Sequence, residues 1–167
     1  LITISYFNSF SPEHKIQIYE LNSMDFIDSL NIFFLNLVQI LFWYLFSPFG
    51  VSIAFVGKFI YSMGQAPHEV DMNPILYYLS SITHGLGELI VSFFVILFTI
   101  QQFYCFYLFF KYNEITHLKL VYKKLVTNYL PLSILILFIS AILEVYVSNR
   151  ILISFNVLDI IIWRVFL

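Results

Sequence analysis

The sequence predicts an all-α protein, a polytopic bundle of transmembrane helices. Of its 167 residues, 60% are hydrophobic and only 11% are charged, whereas a soluble domain is about half apolar and about a quarter charged. Phe and Tyr supply 20 and 12 residues, and aromatic rings at that density are typical of lipid-facing walls and interfacial belts. Too few charges are present to cover a water-exposed surface.

Long apolar runs predict five membrane spans in this chain. About 20 apolar residues in a helix cross a hydrocarbon core of about 30 Å, and backbone in lipid must form its hydrogen bonds within the helix. The predicted spans are residues 30–46, 49–61, 86–110, 125–147 and 151–167.

Two segments follow from this division of the chain. Residues 1–29 are predicted to be an extracytoplasmic N-terminal segment, and residues 30–167 a transmembrane helical domain. The first segment is acidic and starts at Leu1 rather than Met. A further helix is therefore expected before it, which would give the full protein six spans.

The stretch between residues 74 and 110 is too long for one upright span. Its 37 residues would form a helix of about 55 Å. Asn73 and Pro74 make a good helix start, with a capping side chain and a preset first residue. Gly85 and Gly87 are the expected break, so that residues 74–83 would form a short helix at the interface or re-enter the membrane.

The distribution of lysines predicts the orientation. Four lysines stand against one Glu between Lys111 and Lys124, and loops rich in Lys and Arg lie in the cytoplasm. The loop at residues 65–74, with acidic residues and no Lys or Arg, is then expected outside.

Several classes of function are disfavoured. The net charge of −2 and the lack of a basic stripe argue against nucleic-acid binding. The chain has neither a Gly-rich phosphate loop nor a nucleophile with ordered partners, so we expect no enzyme activity and no cofactor. One His with scattered carboxylates is not a usual metal-ligand set. Cys105 is interpreted as a small apolar group, either buried or facing lipid.

A polar cluster is the candidate site. His84 and Glu88 are four residues apart and share one helical face, and Glu144 is expected at the same level of the bilayer. A carboxylate inside a membrane segment is a functional-site hypothesis by default. The alternatives are a proton relay and polar contacts that only join helices. Lys58 either reaches toward the cytoplasmic side or pairs with a carboxylate such as Glu88.

The sequence His84-Gly85-Leu86-Gly87-Glu88 resembles the His-Gly-x-x-Glu signature of the stage II sporulation protein M family, which opens a transmembrane helix. The segment 142–147 is similar to the family's Ile/Leu-Glu-Ala-like step near the end of the following span. The resemblance covers residues 31–147. It implies a polytopic protein of a bacterial cytoplasmic membrane, in which the positive-inside rule places the basic loop at Lys111–Lys124 on the cytoplasmic side.

The resemblance implies a non-enzymatic membrane subunit or scaffold of a multi-protein complex. The expected partners are the lipid bilayer and other membrane or cell-envelope proteins, with homo-oligomers as a further option and no nucleic acid. The alternative is a permease-like partner of a separate ABC ATPase, which would export a hydrophobic peptide such as a bacteriocin or confer immunity to it.

Overall fold

The structure is a computed structural model that describes residues 24–69, 73–113, 115–151 and 153–154. Within these ranges the chain forms helices and no strand, which confirms the all-α prediction. Four helices follow one another along the chain. They are α1 (Phe26–Phe46), α2 (Val51–Glu69), α3 (Pro74–Tyr112) and α4 (Thr116–Ile151).

Three segments in the described part are long and apolar enough to cross a membrane: Phe26–Phe49, Pro74–Tyr112 and Thr116–Ile151. The shorter and more polar α2 is not among them. The predicted fifth span, residues 151–167, lies almost wholly outside the described residues, as do residues 1–23 of the predicted N-terminal segment.

Helix α1 begins four residues earlier than the first predicted span because its start is capped. The Asp25 carboxylate accepts hydrogen bonds from the backbone of Ile27 and Asp28, and the Asp28 carboxylate accepts one from the backbone of Asp25. This reciprocal pair satisfies N–H groups that a helix start leaves open. At the other end, a turn at Ser47–Phe49 leads into Gly50, whose φ of +72° favours glycine.

Helix α3 runs without interruption over 39 residues, so the predicted break at Gly85 and the separate short helix at residues 74–83 are wrong. The predicted start is confirmed, since the Asn73 side chain accepts a hydrogen bond from the backbone N–H of Ile75. The glycines do not break the helix because they lie against neighbouring helices. A Cβ at Gly87 would collide with the Ser140 hydroxyl of α4, and glycine at such a contact lets two helices approach closely.

The basic segment Lys111–Lys124 is mostly helical, which corrects the prediction of a loop. Helix α3 continues to Tyr112 and α4 begins at Thr116. Asn113 caps α3 in the left-handed conformation, with a φ of 56°, a conformation that Asn tolerates better than most residues. In the same way α2 continues through Gln65 to Glu69, so the predicted loop at residues 65–74 is shorter than expected.

The interior combines apolar packing with hydrogen-bonded polar side chains. Ring contacts at 5.5 to 6.1 Å link Phe98 to Tyr44, Tyr122 and Tyr129. Gln102 is fully buried and bonds both to Ser47 and to Tyr122. Every buried side-chain N or O atom in the described part has a partner, as backbone and side chains in lipid require. Cys105 is buried among these groups.

The close contact of α3 with α4 at Gly87 is testable by substitution. We expect Gly87→Leu to lower the free energy of unfolding by about 1–3 kcal/mol, because the new side chain must displace Ser140 and Ile136. Gly57 is the matched control, since a Cβ there meets nothing within 4 Å, and Gly57→Leu should leave stability unchanged or raise it. Thermal unfolding in detergent measures both. Equal melting temperatures for the two variants would contradict the contact.

A polar cavity between α2, α3 and α4 as candidate functional site

A cavity of about 460 Å³ opens between the second half of α2, the first half of α3 and one residue of α4. Three of its lining residues carry ionisable groups, two carry aromatic rings, and the rest are apolar or small. The lining residues are Ser62, Met63, Ala66, Tyr77, Tyr78, Ser81, Ile82, His84, Gly85, Leu86, Glu88, Leu89 and Glu144.

Glu88 is held in place from α1. The Asn36 amide donates a hydrogen bond of 2.8 Å to Oε1 of Glu88. Helix α1 thus supports a carboxylate that α3 carries, and the contact joins residues 52 positions apart in the chain. Glu88 also lines the cavity. A single neutral donor leaves the charge of this carboxylate uncompensated, and that is costly within an apolar bundle.

Glu144 and Ser148 stand at the two ends of a π-helical turn in α4 and share one face of that helix. In this turn the backbone N–H of Asn149 bonds to the carbonyl of Glu144, five residues earlier. Glu144 lines the cavity, and the buried Ser148 hydroxyl contacts α3 at Thr83 Oγ1 (2.7 Å) and His84 Nδ1 (2.8 Å). Single π turns occur often at functional sites, and here one turn positions both groups.

Pro67 shapes the wall that α2 contributes. A proline inside a helix has no N–H to donate, so the carbonyl four residues earlier loses its partner. In α2 that carbonyl belongs to Met63, and the Tyr78 hydroxyl donates to it at 3.1 Å. The buried proline is therefore coupled to a side chain of α3, and both Met63 and Tyr78 line the cavity.

The structure brings three of the sequence-predicted residues together, since His84, Glu88 and Glu144 all line this cavity. Gly85 lies beside them and is buried. A Cβ added at this residue would lie 3.5 Å from Cε of Met63. Lys58 does not join them. It is exposed and lines a separate cavity with Gln39 and Trp43, while Glu88 bonds to Asn36 instead.

Sequence reasoning missed the residues that support the cluster. The contribution of α2 was not predicted, nor were the roles of Asn36 and Ser148. Asn36 carries the clearest signal in the sequence, because an amide inside an apolar run needs a partner in lipid. Ser148 carries no such signal, since a serine in a membrane helix can bond to its own backbone.

The chemistry of the cavity is set by its carboxyl, imidazole, aromatic and apolar lining residues. The lining residues that the structure describes include no Lys or Arg, and among the described residues no three His, Cys, Asp or Glu side chains are placed so that they could hold a metal ion together. Two carboxyl groups stand beside one imidazole, with aromatic and aliphatic walls.

Comparison with protein-family models, with curated proteins and with solved structures finds no match.

The bond between His84 and Ser148 can be measured through stability. Ser148→Ala removes the partner of both Thr83 and His84, and we expect it to lower the free energy of unfolding by about 0.6–2 kcal/mol. Ser154→Ala is the control, because that exposed hydroxyl donates to the Arg150 carbonyl and to no other group among the described residues. If the two variants unfold at the same temperature in detergent, Ser148 does not hold α3 against α4.

Proposed function

We propose that this chain is a non-enzymatic integral membrane subunit that docks a partner protein through the α3–α4 hairpin. The observation that carries the proposal is the extension of this hairpin beyond the α1–α2 turn, with four exposed lysines between its tip and the level of that turn. The lysines are Lys111, Lys119, Lys123 and Lys124.

The contact between Gly50 and Phe103 shows how far the hairpin extends beyond the α1–α2 turn. A Cβ at Gly50, in the α1–α2 turn, would lie 3.0 Å from Cζ of Phe103 on α3. Nine residues separate Phe103 from Tyr112, where α3 ends (112 − 103 = 9), and they add roughly 14 Å of helix. The first part of α4, Thr116–Lys124, packs against α3.

The chemistry of the hairpin suits a location at the edge of a bilayer. Lys111 bonds to the Tyr107 hydroxyl and lies 5.1 Å from the centre of the Tyr112 ring. Exposed aromatic rings flanking lysines are typical of the lipid–water interface. The positive-inside rule assigns this end to the cytoplasm, where a protein with an acidic surface would find charge complementarity.

The wider proposal places the chain in the cytoplasmic membrane of a bacterium, as a relative of the stage II sporulation protein M family. In that arrangement α2 and residues 151–167 add two spans to the three apolar helices, giving five. The motif at His84-Gly85-Leu86-Gly87-Glu88 supports the relationship.

Charge reversal at the hairpin tests the docking role. We expect Lys119→Glu to shift the protein, extracted gently from native membranes, to a smaller size on native gels, because an acidic partner would be repelled. Arg150→Glu is the matched control, since Arg150 is also exposed but lies near the opposite end of α4. A complex of unchanged size in Lys119→Glu, or equal losses in both variants, would refute hairpin docking.

The cavity favours a second candidate, a permease-like partner of a separate ABC ATPase. Two carboxyl groups lining a cavity of about 460 Å³ between apolar helices are unusual in a purely structural bundle, because such groups are costly in lipid. The two candidates differ in the effect of Glu88→Gln. A permease variant would assemble normally and lose peptide export or immunity, whereas a scaffold variant would retain the function of its complex.

A further inference from the structure

We propose that the cavity between α2, α3 and α4 binds an organic cation with an apolar body. This site goes beyond the docking role, because it concerns a different surface of the molecule. It would exist in a scaffold as well as in a permease.

The two carboxyl groups that line the cavity favour a positively charged ligand. Glu88 and Glu144 both reach the cavity, and the described residues that line it include no Lys or Arg to balance them. Glu88 accepts one hydrogen bond, from Asn36. No hydrogen-bond donor to the Glu144 side chain occurs in the described part of the chain. A bound cation would supply the missing partner, and pairing is what makes a carboxylate tolerable among apolar helices.

The size and the apolar walls of the cavity fit an organic molecule better than a bare metal ion. A volume of about 460 Å³ falls in the range of sites for drug-sized molecules. Ile82, Leu86 and Leu89 offer aliphatic surface beside the carboxyl groups. No group of three or more ligating side chains suited to a metal occurs among the described residues.

Two aromatic rings add a feature specific to organic cations. Tyr77 and Tyr78 line the cavity, and their ring centres are 5.6 Å apart with planes at 81°. The face of a tyrosine ring attracts ammonium-type cations. An anionic or zwitterionic headgroup would instead need a cationic side chain for its phosphate, which the described lining lacks.

Binding of tetraphenylphosphonium to the purified chain in lipid nanodiscs tests the proposal, with tetraphenylborate as a probe of the same shape and opposite charge. Binding to empty nanodiscs of the same lipid is subtracted, and we expect saturable binding of the phosphonium to the protein, measured by equilibrium dialysis, with at least about tenfold weaker binding of the borate to the protein. Because this comparison uses the unaltered chain, it does not depend on whether a variant folds. No saturable phosphonium binding, or equal binding of the two probes, would overturn the proposal.

Isosteric substitutions then locate the site. Glu144→Gln keeps the shape of a side chain that accepts no hydrogen bond in the described part of the chain, and should weaken phosphonium binding about tenfold or more. Glu88→Gln should do the same. Asp28→Asn is the control, because this carboxylate lies at the start of α1 and does not line the cavity. If the affinities of both Gln variants match that of Asp28→Asn, the cation binds elsewhere and the proposal fails.

Discussion

The close approach of α3 to α4 at Gly87 is the constraint on which the rest of the structure depends. A Cβ added at Gly87 would collide with the Ser140 hydroxyl and lie 3.2 Å from a methyl group of Ile136. The polar residues of the cluster lie within four residues of these contact points, since His84 and Glu88 flank Gly87 while Glu144 follows Ser140. Tight packing of the two helices therefore fixes the distance over which the cavity residues face one another.

Hydrogen bonding within lipid explains the placement of most other polar residues. Backbone and side-chain groups find no water in a hydrocarbon core, so each needs a partner in the protein. Gln102 bonds to Ser47 and Tyr122. The Tyr78 hydroxyl donates to the Met63 carbonyl, which lacks a backbone donor because residue 67 is a proline. Glu144 differs from them, because no described residue donates to its side chain. Among the described residues, the polar groups named above are satisfied within the protein, and the Glu144 carboxyl group is not.

Features of the fold that depend on nearby residues in the chain could be predicted from the sequence. Features that depend on contacts with a neighbouring helix could not. The start of α3 at Asn73 could be predicted because a capping side chain and a proline act on their own backbone. The break expected at Gly85 was wrong because glycine in a membrane helix is as often a packing contact as a breaker. Its role at Gly87 becomes visible only once Ser140 is known to face it.

The same distinction applies to the site. The spacing of His84 and Glu88 placed them on one face of one helix, and the structure brings Glu144 to the same cavity. The contributions of Met63 on α2 and of Asn36 on α1 depend on how the helices are aligned with each other. The hydrophobic pattern of a single helix does not indicate how that helix is aligned with its neighbours.

Crosslinking across the cavity tests its existence most directly. Met63→Cys and Glu144→Cys, combined with Cys105→Ser, place two thiols on opposite walls. A short bifunctional thiol reagent applied to native membranes should yield a linked pair of peptides in mass spectrometry, whereas Leu132→Cys paired with Met63→Cys should not. If both cysteines react with a monofunctional reagent but never link to each other, α2 and the π turn of α4 do not share a cavity.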